Sequence, residues 1–504
     1  MNLEALKKHI SVSRAFPILS LILLCGYLFA WNLQDYYFTQ DHAYHLIFAD
    51  RIELNFLEHI REDTHPPLYY FLLKGIIHVF EGDHPLVLRG VSLITGLFSV
   101  LLCFFWGSSL SGDKRVGWLS AFLIATSPLF ILQSQIIRNY SLLICLLLMV
   151  FILLTKKDFF ERDLIIAIFL SFLLTLTHYC SVIFLPTFLI LGLVRLRSSQ
   201  KINRERRLGL ESSWVIALVL NGLLTIWMAS QRPESFRSDQ HILGLKKQLA
   251  GQILNLKPVL SLLVSNIFGE KEGFLIWMLM GFGLFFLVLD RRKELLLLFW
   301  GPFLTGIVMS LANKYPLTTE RHSIYLLSVF LIPVIWLLNR LARKSPIYLF
   351  IVFLLIIRAQ RGVWPGIYRL DKWRKTQEWE VGPRLSEMKL VREHLKNYNP
   401  KGPLLLDWDL GFSWNMEKRL SPHWAIFLNL ERPITQCNML LGIENRDPCH
   451  CFSKKDNATE ITNLLVLHGQ EQPLKELSRK YPCFTIVNKK QISENYSLFD
   501  LRAQ

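Results

Sequence analysis

Charged side chains are scarce in this sequence: they occupy 19% of its 504 positions, whereas 52% of the residues are hydrophobic. A soluble chain usually has about a quarter of its residues charged. The apolar residues come in long blocks separated by short charged loops, and the sequence contains no internal repeat and no low-complexity segment. This distribution excludes an ordinary multidomain soluble protein and predicts an α-helical protein that crosses a membrane several times.

The sequence also lacks a basic patch of the kind that binds nucleic acid, although its net charge is +16. No basic stretch is interleaved with aromatic residues as in a nucleic-acid groove. Instead, the positive charges cluster in loops that alternation of the spans places on the side of the N-terminus. These clusters are Lys7–Lys8, Lys114–Arg115, Lys156–Lys157, Arg195–Arg207, Arg291–Lys293 and Arg340–Lys344. Such a bias marks the cytoplasmic side of a membrane protein, and we expect no nucleic-acid partner.

Cysteine is sparse, with eight residues in two groups. The first group lies within apolar runs, where a small buried side chain is the simplest interpretation. The second lies in a polar C-terminal segment, where disulfides can form if that segment is extracytoplasmic. The groups are Cys25, Cys103, Cys145 and Cys180, then Cys437, Cys449, Cys451 and Cys483. Cys449-His450-Cys451 resembles half of a zinc site, but no second half follows at a suitable spacing.

Apolar blocks of about 17 to 25 residues predict about eleven transmembrane helices within residues 1–360. They lie near 15–33, 88–110, 116–133, 139–155, 163–179, 181–196, 212–229, 273–290, 294–312, 323–339 and 346–360. The first block lacks a small-residue cleavage site, so we interpret it as a retained anchor. Polar residues at 133–135 and 138–140 interrupt the pattern, and at membrane depth they require contact with protein or a water-filled cavity.

Two external loops and a C-terminal domain complete the predicted organisation. The first loop, 34–87, contains an interfacial helix and, after Pro66-Pro67, a segment Leu68 to Phe80 that is too short to span. The second loop, 231–272, contains a helical pattern that forms either a lid over a cavity or a surface helix on lipid headgroups. Short apolar runs at 403–407, 463–467 and 483–487 predict strands, so residues 361–504 are expected to form a small extracytoplasmic α/β domain.

The first loop contains the carboxylates most suited to chemistry. Asp41 precedes the predicted interfacial helix, where it can cap the helix, act as a general base at the membrane surface, or do both. Glu62, Asp63 and His65 lie just before the double proline Pro66-Pro67, which would hold them in one geometry, as a supporting shell requires. A solvated acidic turn is the alternative. A histidine such as His42 or His65 could bind a divalent metal together with Asp41, but loop histidines are more often hydrogen-bonding partners, so a metal is not favoured.

Arginines at the outer ends of spans break the positive-inside bias. Arg138 and Arg321 each present a guanidinium that suits an anionic phosphate, or that snorkels to lipid headgroups. His178 and Tyr179 end the fifth span on the same side, so they either line the same cavity or belong to an aromatic belt. We predict that the cavity is lined or supported by His42, His65, Tyr140, His178 and Tyr179.

Several of these stretches, in this order, resemble the polytopic glycosyltransferases of the GT-C fold. The similarity is to the branch that contains protein O-mannosyltransferases and aminoarabinose transferases, and it covers roughly residues 15 to 340. The stretches are Asp41–His45, His65–Tyr70, Leu88–Ser92, Ser127–Tyr140, Thr177–Tyr179 and Glu320–Pro333. The resemblance implies a donor sugar carried on a polyprenyl phosphate.

The resemblance also assigns roles to individual residues. Asp41 matches the catalytic carboxylate, while Arg138 and Arg321 match cationic groups near the lipid phosphate. The family often has Asp-Glu where this chain has Asp41-His42, so the second acid is expected to be Glu62 or Asp63, or a histidine replaces it. No cofactor is expected.

The function expected from this resemblance is inverting transfer of a sugar to a hydroxyl or similar acceptor on the outer face of the membrane. The acceptor would be a glycan, a glycolipid or a protein, and membrane lipids would surround the chain. A bacterial inner membrane with a periplasmic active site is the expected location. The alternatives are a transporter or lipid flippase, whose inverted repeats are not visible in the sequence, and a non-catalytic membrane scaffold.

Overall fold

The computed structural model describes residues 3–30, 45, 49, 65–80, 85–231, 273–312 and 324–359, together with four β-strands between residues 404 and 503. The chain divides into two units. Residues 1–31, 48–75 and 89–376 form the first unit, and residues 32–47, 76–88 and 377–504 form the second. The described part of the first unit is helical, whereas the strands belong to the second.

The described helices follow the apolar runs of the sequence. They are α1 (Leu3–Ala30), α2 (Leu68–Phe80), α3 (Pro85–Leu88), α4 (Gly90–Ser111), α5 (Lys114–Ala125), α6 (Pro128–Gln135), α7 (Tyr140–Thr155), α8 (Glu161–Thr175), α9 (Leu185–Ser198), α10 (Arg204–Ser230), α11 (Gly273–Leu289), α12 (Lys293–Leu311), α13 (Tyr325–Lys344) and α14 (Pro346–Ala359), with a 3-10 turn at Tyr179–Ile183. Every run predicted as a span coincides with a helix, except that 116–133 is divided between α5 and α6. The segment predicted at 68–80 is α2.

Length and hydropathy allow several of these helices to cross a membrane. Among the described residues, α4, α10, Lys293–Ser310 of α12 and α13 are long and apolar enough, and α5 with α6 makes a bent fifth candidate. Shorter apolar helices, such as α7 and α14, accompany them. The chain is therefore an integral membrane protein, whereas the predicted number of about eleven spans stays a prediction.

Helices of the bundle differ in how much of their apolar surface is exposed. In α10, Ile216, Leu220 and Leu223 are exposed, while Trp214 and Leu218 are buried against neighbouring helices. A large apolar side chain exposed along a spanning helix is suited to contact with lipid. By contrast, 83% of the spanning window of α13 is buried. Helix α13 therefore lies inside the bundle and α10 at its surface.

The span predicted at 116–133 is broken rather than straight. Helices α5 and α6 meet at an angle of 67°. The break follows from Pro128 at the start of α6, because proline donates no backbone hydrogen bond and disfavours helical geometry in the residue before it. Ser127 accordingly has extended backbone angles, with φ −67° and ψ 121°. The bend directs α6 toward the end of α1.

An ion pair fixes the turn between α11 and α12 against α13. Arg340 donates from Nε to Oδ2 of Asp290 at 2.8 Å, and the indole nitrogen of Trp336 donates to the same oxygen at 2.8 Å. The guanidinium of Arg292 lies 4.5 Å from the centre of the Trp336 ring, a cation–π contact. Hydrogen bonding to Arg340 holds the pKa of the Asp290 carboxyl below its ordinary value. The carboxylate therefore stays charged and keeps the turn tied to α13 at neutral pH.

The described strands pair into one sheet. They are β1 (Leu404–Leu406), β2 (Ile461–Leu467), β3 (Phe484–Gln491) and β4 (Tyr496–Ala503), in the order β1-β2-β4-β3. Strands β1 and β2 are parallel, with Leu405 opposite Leu464, while β4 is antiparallel to both β2 and β3. The three predicted strands are confirmed and β4 was not anticipated. The helices predicted near 381–397 and 471–481 lie outside the described residues, so the α/β domain and its location stay predictions.

Close packing of α11 on α13 gives a test of this fold. A Cβ atom added at Gly283 would overlap the backbone of Pro333. We expect Gly283→Ala to lower the free energy of unfolding by about 1–3 kcal/mol, because an overpacked contact forces the helices apart. Thermal unfolding in detergent measures the change.

Gly281 in the same helix provides the matched control, since an added Cβ meets nothing within 4 Å. Gly281→Ala should leave stability unchanged or raise it slightly, because alanine favours the helix over glycine. Equal melting temperatures for the two variants would contradict the close packing of α11 on α13.

Candidate functional site

Buried polar side chains gather where the N-terminal ends of α2, α4 and α7 meet the C-terminal end of α8. His65, Arg89, Arg138 and His178 are each at most 8% exposed. Burying charged and polar groups inside a membrane protein is costly unless they pair or hydrogen-bond with other polar groups. The concentration of such groups in one place makes this region the candidate functional site.

The position of α2 is set by the double proline and by a bond to α8. Its first turn forms when the amides of Tyr70 and Phe71 donate to the carbonyl of Pro67, at 3.1 and 3.2 Å. The amide of Leu68 donates to the carbonyl of Leu176 at 2.9 Å, just beyond the end of α8. One amide that the helix start leaves free is thus satisfied by the neighbouring element.

A chain of hydrogen bonds connects α2 through α4 to the turn between α6 and α7. The hydroxyls of Tyr69 and Ser92 lie 3.0 Å apart. The Ser92 hydroxyl donates to the backbone carbonyl of Arg138 at 3.1 Å. All three residues are buried, so the position of the arginine backbone is fixed by side chains from two other helices.

The residue after Arg138 anchors the same turn on its other side. The Asn139 side-chain nitrogen donates to the carbonyl of Thr177 at 2.5 Å, in a fully buried position. Further back, the Gln135 amide donates to the carbonyls of Leu28 and Phe29 at 3.1 and 2.9 Å. Polar residues at this depth were predicted to contact either protein or a water-filled cavity. Gln135 and Asn139 contact protein.

Histidine and tyrosine rings pack beside the turn. The ring centres of His65 and His178 are 5.8 Å apart, and those of Tyr140 and His178 are 5.4 Å apart. The His178 Nδ1 atom accepts the amide hydrogen of Cys180 at 3.0 Å. The proton of the neutral ring is therefore on Nε2. Tyr179 instead packs against Met228 of α10.

The structure thus brings several of the predicted residues together. The His178 ring contacts the rings of both His65 and Tyr140, and Arg138 lies in the turn before Tyr140. Five other predicted site residues lie outside the described residues: Asp41, His42, Glu62, Asp63 and Arg321. In the described part of the chain, no group of three or more His, Cys, Asp or Glu side chains is placed to hold a metal ion.

Arg89 is a site residue that the sequence did not identify by itself. It is 1% exposed and precedes α4, one turn before Ser92. Positions three apart share a face of a helix, so Arg89 and the Ser92–Arg138 hydrogen bond are on the same side of α4. The available signal was an arginine at the outer end of a span, the same signal that identified Arg138.

The hydrogen bonds of Ser92 can be tested for their contribution to stability. We expect Ser92→Ala to lower the free energy of unfolding by about 1–3 kcal/mol, because the buried carbonyl of Arg138 and the hydroxyl of Tyr69 both lose this partner. Ser212→Ala is the control: its hydroxyl bonds Leu208 on the exposed surface of α10, where substitutions usually change stability by less than about 0.5 kcal/mol. Equal effects of the two changes in a denaturation series would refute the proposed importance of the network.

The match to a known protein family falls in the same region of the chain. Residues 64–227, less than half of the chain, match the family model for dolichyl-phosphate-mannose-protein mannosyltransferases. No curated protein matches the sequence. The matched segment includes α2, α4, α7, α8 and the turn between α6 and α7, which together build the candidate site.

Solved structures extend the similarity to the whole chain. ArnT from Cupriavidus metallidurans, solved bound to undecaprenyl phosphate, is 11% identical, with a TM-score of 0.53, and the match covers 96% of this chain and 98% of that one. An oligosaccharyltransferase from Archaeoglobus fulgidus is 15% identical with a TM-score of 0.44, over 79% of this chain, which spans 60% of the archaeal protein's length. The similarity to ArnT shows that this chain has the GT-C fold, as the sequence resemblance predicted.

Proposed function

We propose that this protein is an inverting glycosyltransferase that takes a sugar from a polyprenyl-phosphate donor. Its acceptor is a hydroxyl or similar group on a glycan, a glycolipid or a protein at the outer face of the membrane. In bacteria this location corresponds to the periplasmic side of the inner membrane. The match to the mannosyltransferase family model supports a transferase, and the ArnT-like fold supports a lipid-linked donor.

The observation that carries this proposal is the buried guanidinium of Arg138. It is 4% exposed, at the end of a spanning element, and its backbone is fixed by Ser92. A charge in such a position is costly, and it is usually kept because function requires it. A guanidinium provides paired donors that match the oxygens of a phosphate, so a lipid-linked phosphate is the ligand it suits best. Arg89 adds a second buried positive charge on the same side of α4.

The proposed reaction is a single displacement at the anomeric carbon. The acceptor oxygen forms a bond to that carbon while the bond from the carbon to the phosphate oxygen breaks, which inverts the configuration. The carboxylate of Asp41 receives the acceptor proton, with Glu62 or Asp63 supporting it. Arg138 and Arg321 stabilise the charge that develops on the departing polyprenyl phosphate. Because these cations can neutralise a monophosphate, the proposed step requires no metal.

Replacement of Asp41 separates a transferase from a scaffold. We expect Asp41→Asn to lower turnover by about 100- to 10,000-fold, because the amide cannot accept the proton, while folding and donor binding persist. Transfer of labelled sugar from a polyprenyl-phosphate donor to envelope acceptors measures turnover. Asp50→Asn, in the same loop, is the control and should remain active. Full activity of the Asp41 variant would rule out its role as the base.

Replacement of Arg138 tests the phosphate site. We expect Arg138→Gln to lower kcat by about 100- to 1,000-fold, since the developing negative charge loses a preorganised donor. Arg138→Lys should recover part of that loss because it keeps the charge without the paired geometry. Arg204→Gln, at the exposed start of α10, is the matched control and should leave kcat unchanged. Similar kcat values for Arg138→Gln and the control would exclude Arg138 from transition-state stabilisation.

A further inference from the structure

A small cationic cleft lies at the ends of α7, α8 and α9 that are remote from the candidate site. We propose that this cleft binds the headgroup phosphate of an anionic phospholipid. The proposal does not depend on the proposed glycosyl transfer, which uses none of its residues.

The cleft is formed by the loop between α7 and α8 and by the end of α9. Its volume is about 190 Å³, and it is lined by Lys157, Asp158, Phe159, Arg195, Ser198, Ser199, Gln200 and Lys201. Pockets that enclose a drug-sized ligand measure about 300–1,000 Å³. A cleft of this size is therefore suited to a headgroup rather than to a sugar nucleotide or a whole lipid.

Its inner wall is rigid because backbone and side-chain groups interlock. The Arg195 guanidinium donates to the carbonyls of Lys156 and Lys157 and forms an ion pair with Glu294 at 3.4 Å. The Ser199 hydroxyl donates to the carbonyl of Phe159 at 2.8 Å. The loop is thus tied to α9, and the cleft exists before any ligand arrives.

Two lysines supply the charge that a ligand would meet. Several basic residues nearby have acidic partners: Lys156 pairs with Asp163, Arg197 with Glu211 and Arg206 with Glu161. By contrast, Lys157 and Lys201 are exposed at the cleft, and neither forms an ion pair with another described residue. Asp158 on the rim offsets one of these charges. The remaining positive charge favours an anion.

An apolar stripe on α9 favours a lipid over a free anion. Ile190 and Val194 are 48% and 42% exposed, and they precede Ser198, which lines the cleft, at intervals of four residues. Residues four apart lie on one face of a helix. An acyl chain along Ile190 and Val194 would therefore lead to a headgroup in the cleft.

The location agrees with the charge bias of the sequence. Helix α7 has 16 residues, so it extends for about 24 Å from Tyr140 in the candidate site to Thr155 beside the cleft. The positive-inside bias assigns the cleft end to the cytoplasmic side, where leaflets rich in anionic lipid attract basic clusters. The two sites thus lie at opposite ends of the same helices.

The test is lipid binding to the full chain purified in detergent, measured by native mass spectrometry. Phosphatidylglycerol is titrated against phosphatidylcholine, with excess inorganic phosphate as a separate competitor. The cleft variant is Lys157→Gln with Lys201→Gln. The control is Lys114→Gln with Lys344→Gln, which removes the same charge from exposed lysines elsewhere on the same side. Melting temperatures establish that both variants fold.

We expect the wild-type chain to prefer phosphatidylglycerol, and the cleft variant to bind it about tenfold more weakly, while the control retains its affinity. Asp158→Asn should bind more tightly, because it removes the negative charge on the rim. Equal losses in the cleft variant and the control would show diffuse surface attraction and overturn the proposal. It would also be overturned by full displacement of the lipid by inorganic phosphate, by no lipid preference, or by unchanged or weaker binding to Asp158→Asn.

Discussion

The hydrogen bonds that hold the turn before Tyr140 are the constraint on which the candidate site depends. At membrane depth, each backbone carbonyl that a helix end leaves free must find a donor in the protein or in a water-filled cavity. Ser92 supplies one to Arg138 and Asn139 supplies one to Thr177. These bonds join α4, the turn between α6 and α7, and the segment after α8, and they fix the backbone of a buried arginine where these elements meet.

The same helices have different electrostatic environments at their two ends. Arg138 is buried, so its charge acts through a low effective dielectric, which strengthens its interaction with a charged group. Lys157 and Lys201 are exposed, so salt and water screen them within about 10 Å. A buried cation is therefore suited to stabilising a specific transition state, whereas exposed cations are suited to attracting a mobile anionic surface.

The sequence predicted the parts of this structure that depend on local patterns. Long apolar runs gave the helices, and Pro66-Pro67 gave the start of α2 at Leu68. The pairing of Tyr69 with Ser92 could not be predicted, because it depends on the register between two helices that no local pattern encodes. Strand β4 was missed because Asp500 and Arg502 divide it, so that it contains no continuous apolar run like those that predicted the other strands; antiparallel pairing with β2 and β3 stabilises it. The roles of Asp41, Glu62, Asp63 and Arg321 stay predictions.

A rigid site explains why so many polar groups are buried together. If the guanidinium of Arg138 had to reorganise when a charged ligand arrived, much of its interaction energy would be lost to that rearrangement. The Ser92 hydroxyl donates a hydrogen bond to the Arg138 carbonyl, and Tyr140 packs on His178. Because these contacts order the turn when the chain folds, the free energy of ordering it is not lost when a ligand binds. The stability of the bundle and the electrostatic strength of the site are therefore linked: a change that loosens the turn weakens both, even when it leaves the arginine itself in place.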